Sequence, residues 1–173
     1  MMQIQELSFP EVKKITLKTF SDERGFFRET FREGSFPSSF VQDNHSFSKK
    51  DVIRGIHFQH SPGQAKLVTV VQGIIFDVVV DIRKESPTFG KWEGVYLDAH
   101  LGEQLWIPVG FGHGFCVVSE EGAHVCYKVS SFYQEAQEKT FRYDDPFVGI
   151  EWPCQFPLLS TRDASAPFLK ELI

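Results

Sequence analysis

The sequence is poor in the residues that build disulfide frameworks and structural zinc sites. Its 173 residues include only three cysteines, Cys116, Cys126 and Cys154, and no two of them have C-x-x-C spacing. An odd number of widely spaced cysteines is untypical of a disulfide-stabilised domain or of a zinc knuckle. The 18 phenylalanines against 2 methionines instead indicate a core built largely on aromatic rings.

A long hydrophobic run is also missing. The longest apolar stretch, Ile74 to Ile82, is broken by Asp77 and Asp81, and it is far shorter than the stretch a membrane-spanning helix needs. The N-terminal sequence MMQIQELSFPEVKK has no apolar core of the kind that signal peptides carry. We therefore expect a soluble cytoplasmic protein without a membrane partner.

Positive charge is not in excess. The 18 Lys and Arg against 23 Asp and Glu give a formal net charge of −5, whereas nucleic-acid-binding domains present basic surfaces. No nucleic-acid partner is expected, although a local cluster of Arg and Lys could still bind a phosphorylated ligand. The length and the 42% hydrophobic content predict one globular domain over residues 1–173.

What the chain does have is a series of short runs of alternating apolar residues. Residues 65–72, 74–82 and 123–130 each alternate with the period of two that indicates a β-strand. Gln72-Gly73 and Ser86-Pro87 mark turns, and short helices are predicted over residues 35–42 and 163–173. The pattern predicts an antiparallel all-β fold, a jelly-roll barrel with short flanking helices.

Two histidine-containing segments resemble the cupin motifs. Residues 108–113 read P-x-G-x-x-H and resemble the second motif, and residues 55–60 stand where the first is expected. Metal-binding cupins have H-x-H in the first motif, but here Gln59 replaces the second histidine, and Gln64 is the nearest candidate for the usual glutamate. Three good metal ligands do not converge, so no metal site is predicted in this cupin-type barrel. His57 is then available as a base near neutral pH.

Taken one at a time, the polar residues of these strands also have structural explanations. His113 could be a buried, hydrogen-bonded histidine, Tyr127 a core tyrosine, Lys66 a solvated lysine and Asp163 a helix N-cap. In addition, Arg54 and His57 are three positions apart, so a regular strand puts them on opposite faces. If both reach one site, a bulge or twist near Gly55 is required.

Eight segments, in order along the chain, resemble the dTDP-4-dehydrorhamnose 3,5-epimerase family. They are residues 22–27 (DERGFF), 42–46 (QDNHS), 54–59 (RGIHFQ), 86–90 (SPTFG), 105–108 (LWIP), 112–115 (GHGF), 127–128 (YK) and 159–163 (LSTRD). The resemblance implies a jelly-roll homodimer that uses neither metal nor cofactor. It also implies conversion of dTDP-4-dehydro-6-deoxy-D-glucose to dTDP-4-dehydro-L-rhamnose, within dTDP-L-rhamnose biosynthesis for lipopolysaccharide and other bacterial surface polysaccharides.

The same resemblance implies roles for individual residues. His57 would be the general base, oriented by Asp163, and Tyr127 would be the general acid. Lys66, Arg54 and His113 would line the sugar and its developing enolate. The nucleotide would be bound by Arg24, Glu29, Gln42, Asn44, Phe132, Tyr133, Glu138 and Arg162, with Arg24 and Glu29 acting across the dimer.

The chain departs from the family pattern at two positions, where Arg162 replaces a common lysine and His60 a common arginine. The loop before Gln42 is also shorter, and all three departures bear on diphosphate binding. Three other functions stay open on the residues alone: a 3-only or 5-only epimerase, a sugar-binding cupin without catalysis, and a metal-dependent oxygenase or isomerase. The pair of His57 and Tyr127 argues against the second, and Gln59 argues against the third.

Overall fold

The computed structural model describes residues 3–172, and its regular elements are almost all strands. The elements are β1 (Gln3–Glu6), β2 (Lys13–Thr16), β3 (Thr19–Asp22), β4 (Gly25–Arg28), β5 (Gln42–Ser48), β6 (Ile53–Gln59), β7 (Lys66–Gln72), β8 (Ile74–Asp81), β9 (Trp92–Asp98), β10 (Glu103–Ile107), β11 (Phe111–Val117), β12 (Ala123–Val129), β13 (Glu138–Thr140), α1 (Thr161–Ala164) and α2 (Leu169–Leu172). No helix in this part of the chain is long and apolar enough to cross a membrane.

Two antiparallel sheets form the barrel. One has the strand order β1-β2-β10-β7-β12-β5 and the other β13-β6-β11-β8-β9, while β3 and β4 pair as a separate hairpin. The main core lies between the sheets, where Val68 and Val125 of the first pack with Ile75, Val79 and Phe115 of the second. The expectation of an all-β jelly-roll barrel is therefore confirmed.

Strand β8 is apolar on both faces because both faces are covered. Ile75 and Val79 point into the barrel, whereas Phe76, Val78 and Val80 belong to a second cluster. The segment after β13 contributes Phe141 and Leu169 to that cluster, so the C-terminal part of the chain packs on the outer side of the five-stranded sheet. This packing positions α1, and with it Asp163, behind β6.

The helix predictions are wrong in detail. Residues 35–41 form no helix. Pro37 interrupts the segment, and the rings of Phe36 and Phe40 pack against Trp106, with centroids 5.5 and 5.9 Å from the Trp106 ring. The predicted helix 163–173 is two short helices separated at Pro167, and Ile173 lies outside the described residues. The N-cap of α1 is Ser160, not Asp163, because the Ser160 hydroxyl accepts from the Asp163 amide.

The irregularity expected near Gly55 is present. His57 pairs with His113 but Arg54 pairs with Phe115, so the register between β6 and β11 shifts between these pairs. Gly55 has φ +120°, and a Cβ there would lie 2.6 Å from the Cα of Gly114. Only glycine permits this backbone conformation and this approach. The shift turns Arg54 and His57 toward the same cavity.

We predict that Gly55→Ala lowers the free energy of unfolding by at least about 2 kcal/mol. The added methyl group would clash with backbone atoms, and alanine is also strained at a positive φ. Gly34→Ala is the matched control, since Gly34 has φ +81° but open space around its Cβ position. It should cost about 1 kcal/mol. Urea denaturation compares the two, and equal losses would show that the contact with β11 is unimportant.

Candidate active site

The barrel holds a cavity of about 350 Å³ that is lined mainly by polar and charged residues. Its walls come from both sheets, because inward-facing residues of β5, β6, β7, β11, β12 and β13 converge there. Nine of the residues expected from the sequence line it: Gln42, Asn44, Arg54, His57, Lys66, His113, Tyr127, Tyr133 and Glu138. Strand alternation and the shift at Gly55 together bring these residues to one place.

His57 and Asp163 form a hydrogen-bonded pair at the wall of the cavity. His57 Nε2 lies 2.7 Å from Asp163 Oδ1, and the carboxylate is almost fully buried. Burial acts to raise the pKa of Asp163, but the hydrogen bond and charge of His57, with the Gly55 amide and the Ser160 hydroxyl, hold that pKa below its usual value. An ionised carboxylate only accepts, so Nε2 must donate. In the neutral imidazole, Nδ1 therefore keeps its lone pair.

A second histidine–aspartate pair lies deeper in the barrel. His113 Nε2 donates to the carboxylate of Asp77, at 2.9 and 3.0 Å from its two oxygens. Burial lowers the pKa of His113, and this effect exceeds the opposing effect of Asp77. The imidazole is thus neutral near pH 7. His113 is buried and hydrogen-bonded, as its structural explanation required, and it also borders the cavity.

Lys66 is a buried lysine whose side chain reaches the same cavity. It is only 7% exposed, so it is not the solvated strand lysine that its structural explanation assumed. Burial lowers its pKa, although the charges of Glu138 and Asp77 oppose this shift. A cation held here is placed to attract negative charge that develops inside the cavity.

Tyr127 projects from β12 of the six-stranded sheet, whereas His57 projects from β6 of the other sheet. Burial raises the pKa of the Tyr127 phenol, and the nearby charge of Glu138 raises it further. The hydroxyl therefore stays protonated near neutral pH and can donate. The cavity thus has a potential proton acceptor and a potential proton donor on walls that belong to different sheets.

Polar contacts organise the mouth of the cavity. Gln42 Nε2 donates to Asn44 Oδ1 at 2.8 Å, and the Tyr133 amide donates to Gln42 Oε1 at 3.1 Å. Arg162 Nη1 pairs with Glu138 Oε2 at 2.8 Å but lines a neighbouring cavity. Phe132 is 63% exposed beside Tyr133 and does not line the main cavity.

Arg24 and Glu29 are not brought to this cavity within one chain. Arg24 lies at the turn between β3 and β4 and pairs with Asp22, while Glu29 pairs with Arg32. The hairpin also exposes Phe26 and Phe27. His60, the other departure from the family pattern, lines a separate cavity beside Lys84.

Sequence reasoning missed four residues of the site. Ser46, Phe115 and Gln64 line the cavity, although Gln64 was considered only as a possible metal ligand, and Asp77 holds His113. Ser46 continues the inward alternation of Gln42 and Asn44, so the period of β5 could have identified it. The buried Ser46 hydroxyl has no hydrogen-bond partner in the described part of the chain. Asp77 was visible as an acid inside an apolar strand. Within residues 3–172, no group of three or more His, Cys, Asp or Glu side chains is arranged to hold a metal ion.

Comparisons with known proteins place the chain among sugar-nucleotide epimerases. The family model for dTDP-4-dehydrorhamnose 3,5-epimerase matches residues 6–171. The chain is 51% identical to the dTDP-4-dehydrorhamnose 3,5-epimerase of Shigella flexneri over 169 residues, covering 94% of this chain and 93% of that protein. It is also 42% identical to the dTDP-4-dehydrorhamnose 3-epimerase of Streptomyces niveus over 177 residues, covering 98% of this chain and 85% of that protein.

A solved structure is similar over almost the whole chain. The crystal structure of a dTDP-6-deoxy-D-glucose-3,5-epimerase from Legionella pneumophila, in complex with dTDP-4-keto-L-rhamnose, superposes with a TM-score of 0.94 at 44% identity. The match covers 98% of this chain and 94% of that one. Because the family model matches almost the whole length of this chain, the chain belongs to the dTDP-4-dehydrorhamnose 3,5-epimerase family, a family of isomerases.

Proposed function

We propose that the protein converts dTDP-4-dehydro-6-deoxy-D-glucose to dTDP-4-dehydro-L-rhamnose by inverting C3 and C5, a step in dTDP-L-rhamnose biosynthesis. The observation that carries this proposal is the placement of the His57–Asp163 pair and Tyr127 on different walls of one cavity. Inversion needs a base and an acid on opposite faces of the sugar ring, since a single group would return the proton to the face it came from. The Shigella and Legionella relatives support the same substrate class.

His57 is the base in this proposal. C3 and C5 both flank the C4 ketone, which acidifies their hydrogens and allows an enolate to form. Nδ1 of the neutral imidazole accepts the proton, and Asp163 stabilises the imidazolium that results. Tyr127, whose hydroxyl stays protonated, delivers a proton to the other face of the ring.

Lys66 stabilises the charge that grows on the C4 oxygen. Its ammonium is buried at the cavity wall, and the low local dielectric strengthens its attraction for an enolate. His113 is neutral and Arg54 is cationic, and both border the same space, so they contribute hydrogen bonds to the sugar. No metal or cofactor is part of this mechanism.

The nucleotide lies at the polar mouth, where Gln42, Asn44, Tyr133 and Glu138 meet, with Phe132 and Arg162 beside them. Arg24 and Glu29 complete this end from a second copy of the chain in a homodimer. The exposed aromatic rings of the β3–β4 hairpin support such an interface. A nucleotide-sugar substrate and three free cysteines support a cytoplasmic location.

A second candidate is inversion at C3 alone, because the Streptomyces niveus relative is a 3-epimerase at 42% identity. Both candidates use the same base and acid, so the two differ only in how many carbons exchange hydrogen.

The experiment that decides the function follows the 4-keto sugar in deuterated water by NMR. We expect deuterium at both C3 and C5 and an L-rhamno product, because the same groups act at both carbons. Deuterium at one carbon only would replace the proposal with a single-site epimerase, and the absence of exchange would remove the enolate mechanism.

Tyr127→Phe tests the two-face arrangement on the same sample. The variant keeps the ring and the base, so exchange into the starting sugar should continue while net inversion falls by ~10²-fold or more. Equal losses of exchange and inversion would count against the arrangement. A tyrosine with a purely structural role would leave the ratio of the two rates unchanged.

Lys66→Met is expected to raise the stability of the protein and to lower its catalytic activity. Removing a buried charge should raise the free energy of unfolding by roughly 0.5–2 kcal/mol, and loss of the cation should lower kcat by ~10²–10³-fold. Lys91→Met is the matched control, because Lys91 is exposed and should change the stability by less than about 0.5 kcal/mol. A less stable Lys66→Met variant with normal turnover would contradict this role.

A further inference from the structure

The segment between β12 and β13 carries two aromatic side chains at the mouth of the main cavity. Phe132 is 63% exposed and Tyr133 is 50% exposed. Side chains with so much exposed surface are held only weakly by packing, so their position depends on how firmly the backbone that carries them is fixed. Ser131, which comes directly before them, is the point at which that backbone is tied to the barrel.

Gln59 is one of the residues that hold Ser131. It lies at the end of β6, two positions after His57, and is only 7% exposed. Its Nε2 donates to the Ser131 hydroxyl at 3.2 Å, and its Oε1 accepts from Gln64 Nε2 at 3.3 Å. Gln59 does not line the main cavity, so it can influence a ligand there only through these partners. The position at which metal-binding cupins have their second histidine is thus used here as an anchor.

Gln64 holds the backbone of the same residue. Its Nε2 donates to the Ser131 carbonyl at 2.9 Å, and the Ser131 hydroxyl in turn donates to the Gly63 carbonyl at 3.0 Å. Both partners of Gln64 Nε2 are carbonyl oxygens, which fixes the orientation of the amide. Gln59, Gln64 and Ser131 are named the Ser131 network below. Two residues further on, the Tyr133 amide donates to Gln42 at the cavity mouth.

We propose that the Ser131 network positions Phe132 and Tyr133 to receive the nucleotide. A ligand that meets a segment already fixed in place loses less conformational entropy than a ligand that must order the segment on binding. The hydrogen bonds of the network involve none of the groups proposed to transfer protons, so the network acts on binding and not on the chemical step. This inference rests on the proposed function, which puts the nucleotide at this mouth.

Two members of the network test this role cleanly, because neither lines the main cavity. Gln59→Met keeps the length of the side chain and removes both of its hydrogen bonds, whereas Ser131→Ala removes only a hydroxyl. Ser119→Ala is the matched control. The Ser119 hydroxyl also accepts one hydrogen bond, from the Ile74 amide at 2.9 Å, and donates one to the Gly122 carbonyl at 2.8 Å, but Ser119 does not line the cavity.

The measurement is the Kd for dTDP by titration calorimetry, with steady-state kinetics on the 4-keto sugar nucleotide and a thermal melt of each variant. In Gln59→Met and Ser131→Ala, Kd and KM should both rise by ~3–10-fold, as expected for the loss of ordinary hydrogen bonds, while kcat stays near the wild-type value. Ser119→Ala should lower the melting temperature and leave Kd unchanged.

The double variant and a conservative variant refine this test. Gln59→Met and Ser131→Ala remove the same hydrogen bond, so together they should raise Kd by less than the product of their separate effects. Ser131→Thr keeps the hydroxyl and should bind dTDP as the wild type does. If Gln59→Met does not fold, Ser131→Ala and its rescue by Ser131→Thr decide the question.

An unchanged Kd in Ser131→Ala and in folded Gln59→Met, with a wild type that binds dTDP, would overturn the positioning role alone. An equal rise of Kd in Ser119→Ala would also overturn it, because general destabilisation would then explain the effect. A fall in kcat with unchanged Kd and KM would contradict it by assigning the network to the chemical step. A wild type that does not bind dTDP would instead overturn the proposed function.

Discussion

The close approach of two backbones, at Gly55 and Gly114, is the constraint on which the site depends. Without the register shift that it permits, Arg54 and His57 would lie on opposite faces of β6. With the shift, His57 faces the main cavity, and its ring meets Asp163 on α1 behind the strand. The hydrophobic cluster that holds the C-terminal segment against the outer side of the sheet therefore also fixes the position of the carboxylate.

The interior of the barrel combines an apolar core with groups that are costly to bury. Lys66, Asp77 and His113 are all less than 9% exposed, and burial lowers the pKa of both Lys66 and His113. Such groups contribute little to folding, because removing charge from water costs more than most pairings return. The proposed mechanism accounts for their presence beside an otherwise apolar core, because an enolate needs positive charge and hydrogen-bond donors in a dry space.

The strands and the jelly-roll class could be predicted from the sequence, because a period of two decides which side chains point inward, whereas most of the cavity residues were implied only by the family resemblance. The alternation of β7 and β12 brought Lys66 and Tyr127 to the correct face, and the spacing of Arg54 and His57 revealed the need for a bulge. The absence of a helix around Phe36 could not be predicted as well, since local propensity there is overridden by packing on Trp106, whereas the interruption at Pro167 was visible in the sequence as a helix-breaking proline. The pairing of His113 with Asp77 is a long-range contact that no local pattern encodes.

The central claim is that His57 presents an unprotonated Nδ1 to the sugar because Asp163 holds the proton on Nε2. The most direct test is nitrogen-15 NMR of the imidazole rings, with the His57 signals assigned by their loss in His57→Asn. At the pH of maximal turnover, His57 should have a protonated Nε2 and an unprotonated Nδ1 in the substrate-free protein. A proton on Nδ1, either as the opposite tautomer or in a stable imidazolium, would contradict the account, because His57 could then not accept a proton from the sugar.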